Sequence, residues 1–288
     1  MPRSRPVALL LAVAALLAAA SAAVPPAYAG SVAAAAAPSA LVHADVVGDD
    51  ENDLYRGTGG LIVPESSWRS DGPSRQDVAG CADCEWRITR LCTKDAQANG
   101  GCRRLDVGCP VGTIPVRVWL RHDGGDWVVV GRTCQGDGAP RTVTDVGTEV
   151  TRDAVRLLPP LRARVQPAGP ALVHVPVIGR TGQPARGIRG ADLSVLGVAV
   201  SLDARVRWRW SWDDGDPDWY DVPGGRYPDT AVSHTYATAG THRIGVTSVW
   251  RAQFTVEGLG PFDVPGGPLT QDAAVTVVVR ESRAVLTG

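Results

Sequence analysis

Val198-Ala199-Val200-Ser201-Leu202-Asp203-Ala204-Arg205-Val206-Arg207-Trp208-Arg209-Trp210-Ser211-Trp212 alternates from end to end. Val198, Val200, Leu202, Ala204, Val206, Trp208, Trp210 and Trp212 occupy one phase. Ser201, Asp203, Arg205, Arg207, Arg209 and Ser211 occupy the other. Successive side chains of a strand point to opposite faces, so every large apolar group of this run falls on one side. Strands average about 5–6 residues, so Asp203, or a bend near it, is expected to divide the run in two. A second alternation reads Ile244, Val246, Ser248, Trp250, Ala252, Phe254 and Val256, and a short apolar run follows from Ala274 to Val279. Turns rich in Gly, Pro and Asp separate them. The pattern predicts a mainly β chain with an antiparallel β-sandwich over residues 165–288.

Upstream of the sandwich, residues 143–159 carry Val146, Val150, Ala154, Leu157 and Leu158 at near-helical spacing, and Pro159-Pro160 ends the pattern. Residues 141–164 therefore read as a connector with a helix. Residues 77–140 form a cysteine-rich module. In it, Val116 to Leu120 and Trp127 to Val130 flank Asp123-Gly124-Gly125, the signature of a β-hairpin. Residues 30–76, Ala-rich and then acidic, read as a largely disordered linker with order near Leu61-Ile62-Val63.

The first 29 residues read as a secretory signal peptide. Arg3 and Arg5 precede an apolar run from Val7 to about Ala20, and Ala27-Tyr28-Ala29 supplies a small-x-small cleavage site. The run is short of the roughly 20 apolar residues of a membrane span. No other stretch reaches that length, and Arg283–Gly288 has no hydrophobic anchor, so no membrane span is expected in the mature chain. The expected location is extracellular, secreted or associated with the cell surface.

Export decides how the six cysteines are read. Cys81, Cys84, Cys92, Cys102, Cys109 and Cys134 all lie in one block, and an oxidising compartment favours three disulfides. Each would contribute about 2–4 kcal/mol by restricting the unfolded chain. Six cysteines allow fifteen pairings, and the sequence does not choose among them. Cys134 is set against the loop-rich stretch before Cys109. A Cys81–Cys84 bond would close a very tight loop and is disfavoured. Two rival readings, a thioredoxin-type Cys81-Ala82-Asp83-Cys84 pair and a zinc site on Cys81, Cys84, Cys92 and Cys102, lack a βαβ context and a reducing compartment respectively.

Other chemistries leave little trace. The formal charge of −1 gives no footprint for nucleic acid. Lys94 is the only lysine and lies outside any Gly-Lys-Ser/Thr loop, which excludes a P-loop, and no dinucleotide-binding context surrounds Gly187 and Gly190. No cofactor is implied. His43, His122, His174, His234 and His242 are tied to no nucleophile motif, so no catalytic residues are named. Asp214, Asp216 and Asp218 match positions 1, 3 and 5 of a calcium loop, but Trp219 and Gly225 replace its Gly and Glu. They remain a calcium candidate only as a looser site, beside a plain turn. Trp208, Trp210 and Trp212, like Trp119 and Trp127, are expected in cores. If a strand face were exposed, Trp208 and Trp219 would form a ligand platform.

Three separated pieces, Trp210-Ser211-Trp212-Asp213-Asp214-Gly215, Val232-Ser233-His234-Thr235-Tyr236 and Gly240-Thr241-His242-Arg243-Ile244, resemble the PKD (polycystic kidney disease) domain pattern over about residues 170–280. Trp210, Asp214, Gly215, His234, Tyr236 and Gly240 fit it. Trp212 replaces the family's Phe, Asp213 its first Gly, and His242 its aromatic. The chain looks like secreted actinobacterial proteins that pair a Cys-rich block with a C-terminal PKD domain. The resemblance implies an Ig-like sandwich in a non-catalytic protein of extracellular recognition, adhesion or assembly, with His234 and Tyr236 bonding across the sandwich. Its partner would be an extracellular protein or a cell-wall glycan. The alternatives are a carbohydrate-binding or hydrolase-accessory protein using exposed Trp residues, and an enzyme with its site in the Cys-rich module.

Overall fold

The computed structural model describes residues 53–70, 72–92 and 108–282, with the backbone of Val32–Ala33. The expected signal peptide, Cys102 and Lys94 lie outside the described residues.

The chain begins with β1 (Val32–Ala33), β2 (Asp53–Thr58), β3 (Leu61–Ile62), the short helix α1 (Arg75–Gly80) and β4 (Cys84–Arg90). The hairpin β5 (Ile114–His122) and β6 (Val128–Gln135) follows, then β7 (Arg141–Thr142) and helix α2 (Val143–Leu157). A four-stranded antiparallel sheet runs β2-β4-β5-β6. Asp53–Thr58 of the segment read as linker is therefore built into this sheet. Its residues alternate too weakly to announce a strand, and backbone pairing with β4 fixes them. The predicted hairpin forms. Asp123 and Gly124 both have positive φ, 48° and 71°, and Gly125 N donates to His122 O at 2.8 Å. That is the primed turn that matches strand twist.

One face of this sheet packs Trp86, Ile88, Val116, Val118 and Leu120 against Leu61, Val63 and Val78. Glycine makes room for indoles here. A Cβ on Gly57 would sit 2.3 Å from the Trp86 ring, and one on Gly131 would sit 2.3 Å from the Trp68 ring.

The remaining elements are β8 (Arg164–Gln166), β9 (Ala171–Leu172), β10 (Val177–Arg180), β11 (Ile188–Val195), β12 (Val198–Ser211), β13 (Asp218–Tyr220), β14 (Ser233–His234), β15 (Gly240–Val256), β16 (Leu259–Asp263) and β17 (Leu269–Arg280). β12 is a single 14-residue strand with no break at Asp203. Asp203 points outward, and its carboxylate accepts the Gly190 N–H at 3.1 Å, so the acid fits the strand without bending it. β12 pairs in continuous register with the 17-residue β15, from Val200↔Val256 to Ser211↔Gly245. The large sheet runs β1-β17-β15-β12-β11, with β13, β16 and β9 attached at its margins. β9 alone among these pairs parallel, with Ala171 opposite Val279 and Leu172 opposite Arg280.

The strands are long because one apolar face serves two covers. Near Trp210 and Trp212 it is covered by the small sheet β14-β10-β8, where a Cβ on Gly179 would lie 2.9 Å from the Trp210 ring. Toward Val198 and Phe254 it is covered by α2, whose Val146, Val150, Ala154 and Leu158 join the same core. The expected helix at 143–159 is present, but it does not merely connect. It closes half of the sheet. Thr142 and Asp145 form a reciprocal capping box at its start, and Gly147 lets the helix approach Pro265 and Phe254.

Where the two covers meet, a buried polar chain links them. Trp208 Nε1 donates to Gln183 Oε1 at 2.7 Å. Gln183 Nε2 donates to Gln271 Oε1 at 2.7 Å and to Pro159 O at 2.8 Å. Ser248 Oγ bonds Gln271 Oε1 at 3.3 Å and accepts Trp250 Nε1 at 3.2 Å.

The N-terminal unit is joined to this sheet. β3 pairs with β7, Ile62 and Ala79 enter the large core, and Gln76 Oε1 accepts Gly260 N at 2.8 Å. Among the described residues no helix is long and apolar enough to cross a membrane.

Candidate functional site

The PKD-like residues converge at one end of the large sheet. Asp213, standing where the family has Gly, adopts φ 73°, a left-handed value that Asp tolerates better than most residues. Its carboxylate accepts the Arg243 backbone N–H at 3.0 Å. Asp214 Oδ2 lies 2.8 Å from His234 Nε2, a part-exposed pair at the rim. Below it, Tyr236 donates its hydroxyl to Trp212 O at 2.9 Å. Rings stack in sequence: Trp210 on Trp212 at 5.3 Å between centroids, Trp212 on His234 at 5.2 Å, and Tyr236 on His242 at 4.1 Å, with His234 edge-on to Tyr236. Gly240 opens β15 beside His242, and Gly215 lies in the bend after Asp214. Burial, helped by Asp214 and Asp213, pushes the Tyr236 phenol well above its ordinary range. These residues act on packing and turn geometry.

The expected core placement holds, and the alternative platform on Trp208 and Trp219 does not form. Trp208, Trp210 and Trp212 are buried at 0%, 0% and 2% exposure. Eight consecutive apolar residues on one strand face leave no reason for the phase to switch at the Trp end. Trp219 is exposed on the edge strand β13, with the Arg207 guanidinium over its ring at 5.3 Å. Asp214, Asp216 and Asp218 are not gathered into a ligand group among the described residues, and Asp214 faces His234 instead.

The tryptophans expected in the first core are the ones that face outward. Trp119 and Trp127 are half-buried on the outer face of the four-stranded sheet. Cross-strand register defines the rows of that face: Thr58–Glu85–Arg121, Arg56–Arg87–Trp119 and Thr89–Arg117–Arg132. The Arg87 guanidinium lies 4.6 Å from the Trp119 ring and 4.7 Å from the Trp127 ring. Arg121 lies 4.6 Å from Trp127 and pairs with Glu85 at 2.6 Å. Trp119 Nε1 donates to Thr89 Oγ1 at 3.0 Å. Arg117 and Arg132 are directly opposed, a like-charge pairing that destabilises a bare sheet. Stacking on indole restrains the Arg87 and Arg121 guanidinium groups, and Arg121 is also held by its ion pair with Glu85.

The cysteines pair as Cys81–Cys84 and Cys109–Cys134, and Cys92 is also disulfide-bonded. The tight Cys81–Cys84 loop, disfavoured on spacing, closes because the chain turns sharply after α1, bringing the two Cα atoms to 5.4 Å. Cys134 is tied to Cys109 itself, clamping β6, the second strand of the hairpin, to the chain that precedes β5. The bond between Cys81 and Cys84 removes both sulfurs from the four-cysteine zinc set. β4–β5 register places His122 directly opposite Cys84. His122 Nε2 lies 3.3 Å from Cys84 Sγ and 3.7 Å from Cys81 Sγ. Nothing in the local sequence signals this cluster, because it depends on a pairing between residues far apart in the chain.

Comparison with family models, curated proteins and solved structures found no match.

Proposed function

We propose that this chain is an exported protein of extracellular recognition, adhesion or assembly, acting by contact, with the arginine–tryptophan face as its binding surface. The observation that carries this reading is the set of guanidinium groups held by stacking on Trp119 and Trp127 on one sheet face. Opposed arginines retained on a solvent face favour a partner that supplies negative charge, such as an acidic protein segment or an anionic wall glycan. Disulfides support an oxidising, extracellular setting. The PKD-like reading of residues 170–280 draws support from the joint packing of Trp210, Trp212, Asp214, His234 and Tyr236. It supplies a spacer that presents the N-terminal unit.

The test is binding of the full chain to immobilised poly-glutamate peptide, glycerol-phosphate polymer and neutral glucan over a salt series. Binding to the acidic surfaces that weakens with salt, and is lost in Arg87→Ala and in Trp127→Ala, is the expected result. Binding only to glucan would move the reading to carbohydrate recognition, and no binding to any surface would remove this face as the contact site.

A further inference from the structure

We propose that Cys81, Cys84 and His122 form a thiol–disulfide exchange site, with a peptide dithiol as substrate. This does not depend on the recognition reading above. Three observations carry it. The two cysteines differ in access: Cys84 is fully buried, whereas Cys81 is part-exposed and lines a cleft of about 870 Å³. That cleft has apolar walls from Pro73, Leu120, Val128 and Val130, and polar groups from Gln76, Asp77, Arg121 and Asp126 beside His122, so it suits a peptide segment. His122 sits closer to the buried sulfur than to the accessible one.

The asymmetry assigns the roles. A substrate thiolate reaches Cys81 Sγ from the cleft and attacks it. The Cys81–Cys84 bond breaks, a mixed disulfide forms on Cys81, and Cys84 leaves as the thiolate. Cys81 follows the C-terminal end of α1, where the helix dipole opposes negative charge. Stabilisation of the leaving sulfur therefore falls to His122, which donates a ring N–H or proton to Cys84 Sγ. The second thiol of the substrate then attacks the substrate sulfur of the mixed disulfide and releases Cys81. The substrate dithiol is oxidised to its disulfide, and the Cys81–Cys84 pair takes up two electrons and two protons. By contrast, a metal at this cluster would need thiolates that the disulfide withholds.

The experiment treats the folded full chain with a reduced bis-cysteine peptide of apolar sequence, quenches with an alkylating agent, and maps the modified cysteines by mass spectrometry. One peptide disulfide is expected per Cys81–Cys84 pair reduced, while Cys109–Cys134 stays intact. His122→Gln, a change at an exposed side chain, is expected to slow the exchange about tenfold through the poorer leaving thiolate. The resistance of Cys109–Cys134 in that variant reports that the fold is kept. The proposal is overturned if Cys81–Cys84 is reduced only after denaturant is added. It is equally overturned if His122→Gln exchanges at the wild-type rate.

Discussion

Tyr236 donates its hydroxyl to the backbone carbonyl of Trp212 at 2.9 Å, across the gap between the end of β12 and the strand that precedes β15. Both partners are buried. Tyr236→Phe leaves the Trp212 carbonyl without its donor, and a loss of about 1–3 kcal/mol in unfolding free energy is expected. Urea unfolding at pH 7 measures it.

The same phenol gives a pH dependence. Its folded pKa is raised above the unfolded value, chiefly by burial, so the neutral form belongs to the native state. The contribution is complete below the unfolded value of about 10 and falls as pH rises beyond it. Wild-type stability should drop more steeply above that pH than stability of Tyr236→Phe. Parallel pH curves for the two proteins would contradict this assignment.

Gln183 serves three groups at once, Trp208 Nε1, Gln271 Oε1 and Pro159 O. Gln183→Leu takes the partner from Trp208 Nε1 and Pro159 O, while Gln271 Oε1 keeps Ser248 Oγ, and a cost of about 1–3 kcal/mol is expected. The double change Gln183→Leu with Gln271→Leu should cost less than the two single changes added, because the bond the two residues share is then lost once and not twice. A double-mutant cycle in denaturant reads this directly.

Gly57→Ala and Gly131→Ala each place a methyl group within 2.3 Å of an indole carbon. Trp86 and Trp68 must then shift. Each variant is expected to lose about 1–3 kcal/mol through overpacking. Near-ultraviolet circular dichroism should change in the indole bands, with the β content kept.

Thr142→Ala removes the side-chain acceptor for Asp145 N at the start of α2, at an expected cost of about 1 kcal/mol. Because α2 covers half of the large sheet, hydrogen exchange should rise in β12 and β15 near Val200 and Val256 as well as in the helix.

Much of this architecture was legible from alternation alone. The inward face of β12, the helix at Val143–Leu157 and the hairpin at Asp123-Gly124 follow from period and turn chemistry. Strand length did not, because an average says nothing about a sheet with two covers. The outward placement of Trp119 is legible in its phase. It shares its phase with Arg117 and Arg121, while Val116, Val118 and Leu120 take the other. Residue type suggested a core, and phase was the better guide.

The candidate sites were harder to read. His122 meets Cys84 only through β4–β5 register, and Arg87 meets Trp127 only through the hairpin's return. Local spacing contains neither. The left-handed turn at Asp213 was easier, since Asp followed by Asp-Gly after a strand is turn chemistry.

The parallel pairing of β9 with β17 bears on how the C-terminal unit behaves under tension. Ala171 and Leu172 open that unit's path into the large sheet, and Val279 and Arg280 close it, lying side by side and pointing the same way. Traction applied to the two ends pulls these strands in opposite directions along their length. The hydrogen bonds between them, with Val173 N to Arg280 O at 3.0 Å beside them, are then loaded together in shear and are not peeled one by one. The pairing thus places a shear-loaded contact where force on the unit's two ends enters the sheet.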